Sequence, residues 1–302
     1  MTPSGVYGPN LITERGLTRL AAGLVAAALI GSVPASVRGQ FSSGVNLVEV
    51  YASVTDRQGQ PVKGLSREDF TVREDSAVQQ VTAFTAGDFP LSVAVALDRS
   101  FSMEGERLAT ARSAARLFLG ELRPADESML IGVGSTTEVL APLSTDRARQ
   151  FDVLTRLDAF GTTGLYDAII AAIDAIQPAR GRRALVLLSD GSDRYSTATS
   201  AEALARARVA DVLVYPIAFG PVRPPVFAEL ATLTGARSFH LRDARQLPET
   251  LRAVAADLRH QYLIGYSPSK PPVAGSNEWR SIQVSTRRSD LTVRARDGYV
   301  VR

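Results

Sequence analysis

The sequence contains no cysteine. Disulfides, thiolate metal sites, cysteine nucleophiles and a lipid-modified cysteine are therefore excluded. Histidine is scarce, with only His240 and His260 among 302 residues. A histidine-rich zinc site is excluded as well, and a Ser-His-Asp triad would have two candidates for its base. A charge excess is also missing. Lys plus Arg total 34 against 31 Asp plus Glu, for a net charge of +3. The arginines are scattered, so the basic patch expected of a nucleic-acid binder is absent. There is no Gly-x-Ser-x-Gly elbow, no phosphate-binding loop ending in Gly-Lys and no dinucleotide fingerprint, which leaves the common hydrolase and nucleotide-binding classes without their motifs.

Apolar residues make up 45% of the chain and charged residues 22%, enough for a sizeable core. Near the amino terminus, Arg15 and Arg19 precede an apolar run from Leu20 to Ile30, broken by Gly31-Ser32-Val33-Pro34. The run is shorter than the roughly 20 residues that span a bilayer. A basic region, a short apolar core and small residues after it read as a signal peptide over residues 1–39, cleaved after Ala35 or Gly39. An uncleaved membrane anchor is the alternative. Either reading sends the rest of the chain out of the cytoplasm, to the periplasm, the cell envelope or the medium.

Beyond the leader the pattern changes twice. Residues 45–84 alternate and are rich in β-branched side chains, as in Val45–Val54. From 90 to 260, continuous apolar runs such as Leu91–Leu97 and Ala184–Leu188 alternate with helical periodicity at 107–122, 147–157, 165–176, 201–210, 225–233 and 245–258. Residues 261–302 return to strands, with Trp279 and Tyr262 as core candidates. Buried strands alternating with helices predict a doubly wound, mostly parallel α/β sheet. Neither β-rich end is large enough for a core of its own. They are expected to pair into one small flanking β-sandwich. The acidic pairs Glu68-Asp69 and Glu74-Asp75 read as solvated turns.

Three remote stretches carry hard oxygen ligands. Asp98-Arg99-Ser100-Phe101-Ser102 follows the first buried strand. Thr162-Thr163 precedes the helical pattern that begins at Leu165. Asp190-Gly191 follows the strand at 184–188. Strand ends on one side of a doubly wound sheet converge on a single rim, so Asp98, Ser100, Ser102, Thr163 and Asp190 are the candidate metal ligands. Oxygen donors with few charges suit Mg²⁺ or Mn²⁺. Taken singly, each stretch could equally be a helix cap or a turn.

In conjunction, these residues resemble the metal-ion-dependent adhesion site (MIDAS) of von Willebrand factor type A (VWFA) domains. That family pattern is Asp-x-Ser-x-Ser, a later Thr, and an Asp after the next core strand. Leu165-Tyr166-Asp167-Ala168-Ile169 fits bacterial members. Phe101 departs from the pattern, standing where many members have Gly. The segments Val62–Phe70, Gln80–Phe84, Gln261–Pro268 and Val293–Tyr299 are similar to acidobacterial-type VWFA-related proteins. The resemblance implies a non-enzymatic, exported protein-binding module. In it, Ser100, Ser102 and Thr163 would give neutral oxygens and Asp98 and Asp190 charge, and an acidic side chain of an unknown protein partner would complete the shell. An envelope scaffold with a vestigial site and a metal-assisted hydrolase are the alternatives.

Overall fold

The computed structural model describes residues 47–301, except 88, 221–222 and 272–276. The expected signal peptide lies outside the described residues. Among the described residues, no helix is long and apolar enough to cross a membrane.

Four strands open the chain: β1 (Val48–Thr55), β2 (Phe70–Glu74), β3 (Ala77–Gln79) and β4 (Val81–Ala86). The central part then runs β5 (Leu91–Asp98), α1 (Glu106–Glu121), β6 (Glu127–Val133), β7 (Thr137–Ser144), α2 (Arg147–Thr155) and α3 (Leu165–Ile176). It continues with β8 (Arg182–Ser189), α4 (Ser200–Val209), β9 (Leu213–Phe219), α5 (Pro225–Thr234), β10 (Phe239–Leu241) and α6 (Leu247–Arg259). Four further strands close it: β11 (Gln261–Tyr266), β12 (Trp279–Thr286), β13 (Thr292–Arg294) and β14 (Gly298–Val300).

The central sheet has the order β10-β9-β8-β5-β6-β7. All its neighbours are parallel except β6 and β7. Every residue of β5 is buried, because helices cover both faces. Val93, Val95 and Leu97 pack with Leu108 and Phe118 of α1, Leu154 of α2 and Leu251 of α6. Ala94 and Ala96 face the other way, toward Ile169 and Ile173 of α3, Ala203 of α4 and Phe227 of α5. The one-residue alternation of a strand thus serves two cores. Helix α3 forms because Leu165, Ala168, Ile169, Ala172, Ile173 and Ile176 recur at helical spacing, and all six are buried. The doubly wound expectation holds.

The two ends of the chain pair with each other. One antiparallel sheet has the order β13-β1-β11-β4 and the other β14-β12-β2-β3. Val50 stands opposite Ile264, and Val72 opposite Val284. Val50, Ala52, Phe70, Val72, Tyr262, Ile264 and Ile282 share one core between the sheets, which is the expected sandwich. Strands β3 and β14 were not anticipated, being only three residues long each. The β2–β3 hairpin turns through Asp75 and Ser76, both at positive φ (45° and 71°), as a tight type I′ connection requires. One expectation fails here. Glu74 is no solvated turn residue but is buried, with its Oε1 at 3.1 Å from Nη1 of Arg280. Alternation along β2 points it inward, where Arg280 of the neighbouring strand supplies the counter-charge.

Candidate metal centre

Strand register builds the centre. Strand β5 lies between β6 and β8, and the chain leaves it first toward β6 and only later returns on the β8 side. The β5/β8 boundary is therefore the topological switch point, where the loops diverge and leave a crevice. Leu97 aligns with Leu188, so the next residues, Asp98 and Ser189, meet at the carboxyl edge.

Asp98 is fully buried. Its Oδ2 accepts the Ser189 hydroxyl at 2.6 Å, and its Oδ1 accepts the Ser100 N–H at 2.9 Å. The Thr163 hydroxyl faces the same carboxylate at 3.4 Å from Oδ2, long for a hydrogen bond between oxygens. Ser100 and Ser102 hydroxyls lie 3.0 Å apart. Asp190 is half-buried and accepts the Ser192 N–H on Oδ1 at 2.9 Å. Burial pushes the Asp98 carboxyl above the usual carboxylate range. Donors from Ser100 and Ser189 pull it back in part, and the negative charge of Asp190 adds to the rise. Among the described residues, no lysine or arginine pairs with Asp98.

The loops that carry these groups are joined by main-chain bonds. The Phe160 N–H donates to Arg99 O at 2.6 Å and the Phe101 N–H to Gly161 O at 3.0 Å. The Arg194 and Tyr195 N–H groups both donate to Thr163 O, at 3.0 and 3.1 Å. Two glycines permit this closeness. Gly161 and Gly191 have φ of +74° and +79°, and a Cβ would collide with the Ser135 hydroxyl at the first and the Pro224 ring at the second. Helix α3 begins at the rim without a cap of its own. Its first N–H groups are taken from across the crevice, Leu165 by Asp193 Oδ1 at 2.8 Å and Tyr166 by Ser196 Oγ at 2.9 Å. The Asp167 carboxylate in turn accepts the N–H groups of Thr197 and Ala198 at 2.8 Å each. This lattice fixes Thr163 relative to the β8–α4 loop.

The structure thus gathers Asp98, Ser100, Ser102 and Thr163, with Asp190 close enough to act on the Asp98 charge. Sequence reasoning missed Ser189, Asp193 and Ser196. A serine closing the otherwise apolar run 184–188 was the available sign for Ser189, whereas the other two depend on a cross-loop contact that no local pattern encodes. Among the described residues, no group of three or more His, Cys, Asp or Glu side chains could hold a metal. The present donors are two carboxylates and several hydroxyls, with one carboxylate buried and uncompensated. That chemistry fits a hard divalent cation such as Mg²⁺ or Mn²⁺ and does not fit zinc or copper.

Neither histidine reaches the rim serines as a base. The His240 Nε2 bonds Gly220 O at 2.7 Å and the His260 Nδ1 bonds Ala256 O at 2.7 Å. A cavity of about 460 Å³ opens elsewhere, lined by Arg183, Asp211, Arg280, Arg296 and Tyr299 among others, and contains no residue of the centre.

Residues 93–192 match the von Willebrand factor type A domain. A UPF0353 protein of Mycobacterium leprae is 32% identical over 205 residues, covering 57% of this chain and 58% of the relative. The chain thus spans little more than half the length of that curated relative. Among solved structures, a von Willebrand factor type A protein from Catenulispora acidiphila is similar with a TM-score of 0.50, at 14% identity, over 79% of this chain and 74% of that one. Proximal thread matrix protein 1 from the mussel byssus gives 0.52 at 12% identity, over 62% and 51%. At these identities the structural likeness is one of fold. Sequence match, strand order and fold agree over this part of the chain: residues 93–192 form a von Willebrand factor type A domain.

Proposed function

We propose that this protein is an exported, non-enzymatic binding module that takes up a protein partner through a divalent cation, Mg²⁺ or Mn²⁺. One observation carries the reading: Asp98 is buried at the switch point with hydroxyls around it and, among the described residues, no cationic side chain paired with it. An ion there would offset a charge that the fold otherwise holds at a cost. Ser100, Ser102 and Thr163 would hold the ion by neutral oxygens, with Asp98 and Asp190 supplying charge directly or through water. Few carboxylates leave such an ion attractive to a further anionic oxygen, which is the chemistry it would supply when bound. An acidic side chain of a partner meets that need. Ser189 and the Ser100 N–H would hold Asp98 in place.

Among the described residues, neither histidine stands beside Ser100 as a base, which supports a binding role over hydrolysis. Export rests on the leader pattern at residues 1–39. The test is capture from a native envelope extract by the full chain. A partner should be retained in Mg²⁺, released by EDTA and lost with Asp98→Asn. Retention that ignores both EDTA and the substitution would contradict the reading.

A further inference from the structure

The rim around the centre carries the only largely exposed aromatic side chains among the described residues. Phe101 is 62% exposed, Phe160 53% and Tyr195 67%. They come from three different loops, and their backbones are tied to one another and to the ligand loop. The Phe101 N–H bonds Gly161 O, next to Phe160, and the Tyr195 N–H bonds Thr163 O. The Arg99 guanidinium lies 5.3 Å from the centre of the Phe160 ring and is itself paired with Glu138 at 3.0 Å. The ring is thus braced from one side while remaining open to solvent. A folded chain gains nothing by holding three aromatics in water, and such concentration marks a contact surface.

Two further features adjoin the rings. An open groove of about 320 Å³ is lined by Leu108, Leu157 and Ala159, with Glu104, Arg112 and Asp158 at its sides, and Ala159 directly precedes Phe160 in the chain. Arg107 and Arg194 are exposed at the same rim, Arg107 donating to Ser102 O at 3.2 Å. Neither makes an ion pair among the described residues. Glu104 and Glu106, also exposed, precede Arg107 in the chain.

We infer that the aromatic rim sets the partner's chemistry: a protein segment in which a carboxylate is flanked by aromatic or branched aliphatic side chains. The inference rests on the metal-dependent reading above and adds the flanking residues. The carboxylate would meet the ion and the guanidinium groups. An apolar neighbour would lie against Phe101, Phe160 and Tyr195 and enter the groove. Aromatic rings suit this role because they offer large area with few rotatable bonds to freeze.

A random dodecapeptide display library, selected on the full chain in Mg²⁺ and eluted with EDTA, tests this. The expected pool carries Asp or Glu next to Phe, Tyr, Trp, Leu or Ile. Synthetic copies should bind the triple variant Phe101→Ser, Phe160→Ser, Tyr195→Ser at least roughly tenfold more weakly, while its Mg²⁺ affinity stays that of the wild type. Acidic peptides without apolar neighbours, or equal binding by the triple variant, would overturn the inference and leave the metal-dependent reading intact. A pool that EDTA does not release, or no pool at all, would overturn both.

Discussion

Glu74 in the sandwich and Asp98 in the α/β part are both carboxylates removed from water, and the fold treats them differently. Glu74 is fully answered. Arg280, itself buried, pairs with its Oε1, and the hydroxyls of Tyr266 and Tyr299 donate to its Oε2 at 2.7 and 2.9 Å. Every partner comes from the carboxyl-terminal strands, so the network joins the two ends of the chain. Asp98 receives hydroxyl and N–H donors but, among the described residues, no positive charge. Removing a charge from water costs several kcal/mol unless something compensates it. The sandwich contains its compensation, whereas the rim is built as though the compensation arrives from outside. On the proposed metal-dependent reading, that contrast separates a structural charge from one kept for binding.

The largest expected effect falls on the compensated side. Arg280→Met strands Glu74 and should cost about 3–5 kcal/mol in denaturant unfolding, with or without Mg²⁺. A loss below about 1 kcal/mol would break the comparison, because Glu74 would then need no counter-charge.

The opposite sign is expected at the rim. In EDTA at neutral pH, Asp98→Asn should leave the fold as stable or raise its stability by roughly 1–2 kcal/mol, since it removes an uncompensated buried charge. The pH dependence follows. The folded Asp98 carboxyl titrates above the ordinary range, so the folded chain holds its proton more tightly than the unfolded one. Its contribution is favourable in acid, below the unfolded value of about 4, and is lost as pH rises through the higher folded value. Comparing wild type with Asp98→Asn across that window in EDTA isolates the effect. A variant that becomes less stable at neutral pH would count against a poised charge.

A smaller change sharpens the sandwich side. The Tyr299 hydroxyl is pushed up to about 12 by burial and by donation to Glu74. Tyr299→Phe should cost about 1 kcal/mol, with Arg280 still in place. A cost as large as that of Arg280→Met would mean the hydroxyls, not the guanidinium, carry the compensation.

Sequence pattern revealed the parts that depend on local physics. The unbroken run Leu91–Leu97 has no polar face, so it must be buried on both sides, as β5 is. Loops that follow such strands end on one rim, which made Asp98, Thr163 and Asp190 readable together. What stayed hidden depends on register or on loop contacts. Ser189 matters because β5 and β8 align it with Asp98, and no periodicity states an alignment. Glu74 resembled a turn residue because its partner lies 206 residues away. Phe101 and Phe160 are apolar and would ordinarily be assigned inward, yet the tight main-chain links between their loops leave them outside.

The most direct measurement is a calorimetric titration of Mg²⁺ into the full chain and into Asp98→Asn. The account predicts a single saturable site in the wild type and none in the variant, with both folded. No binding by the wild type, or the same binding by both, would contradict it.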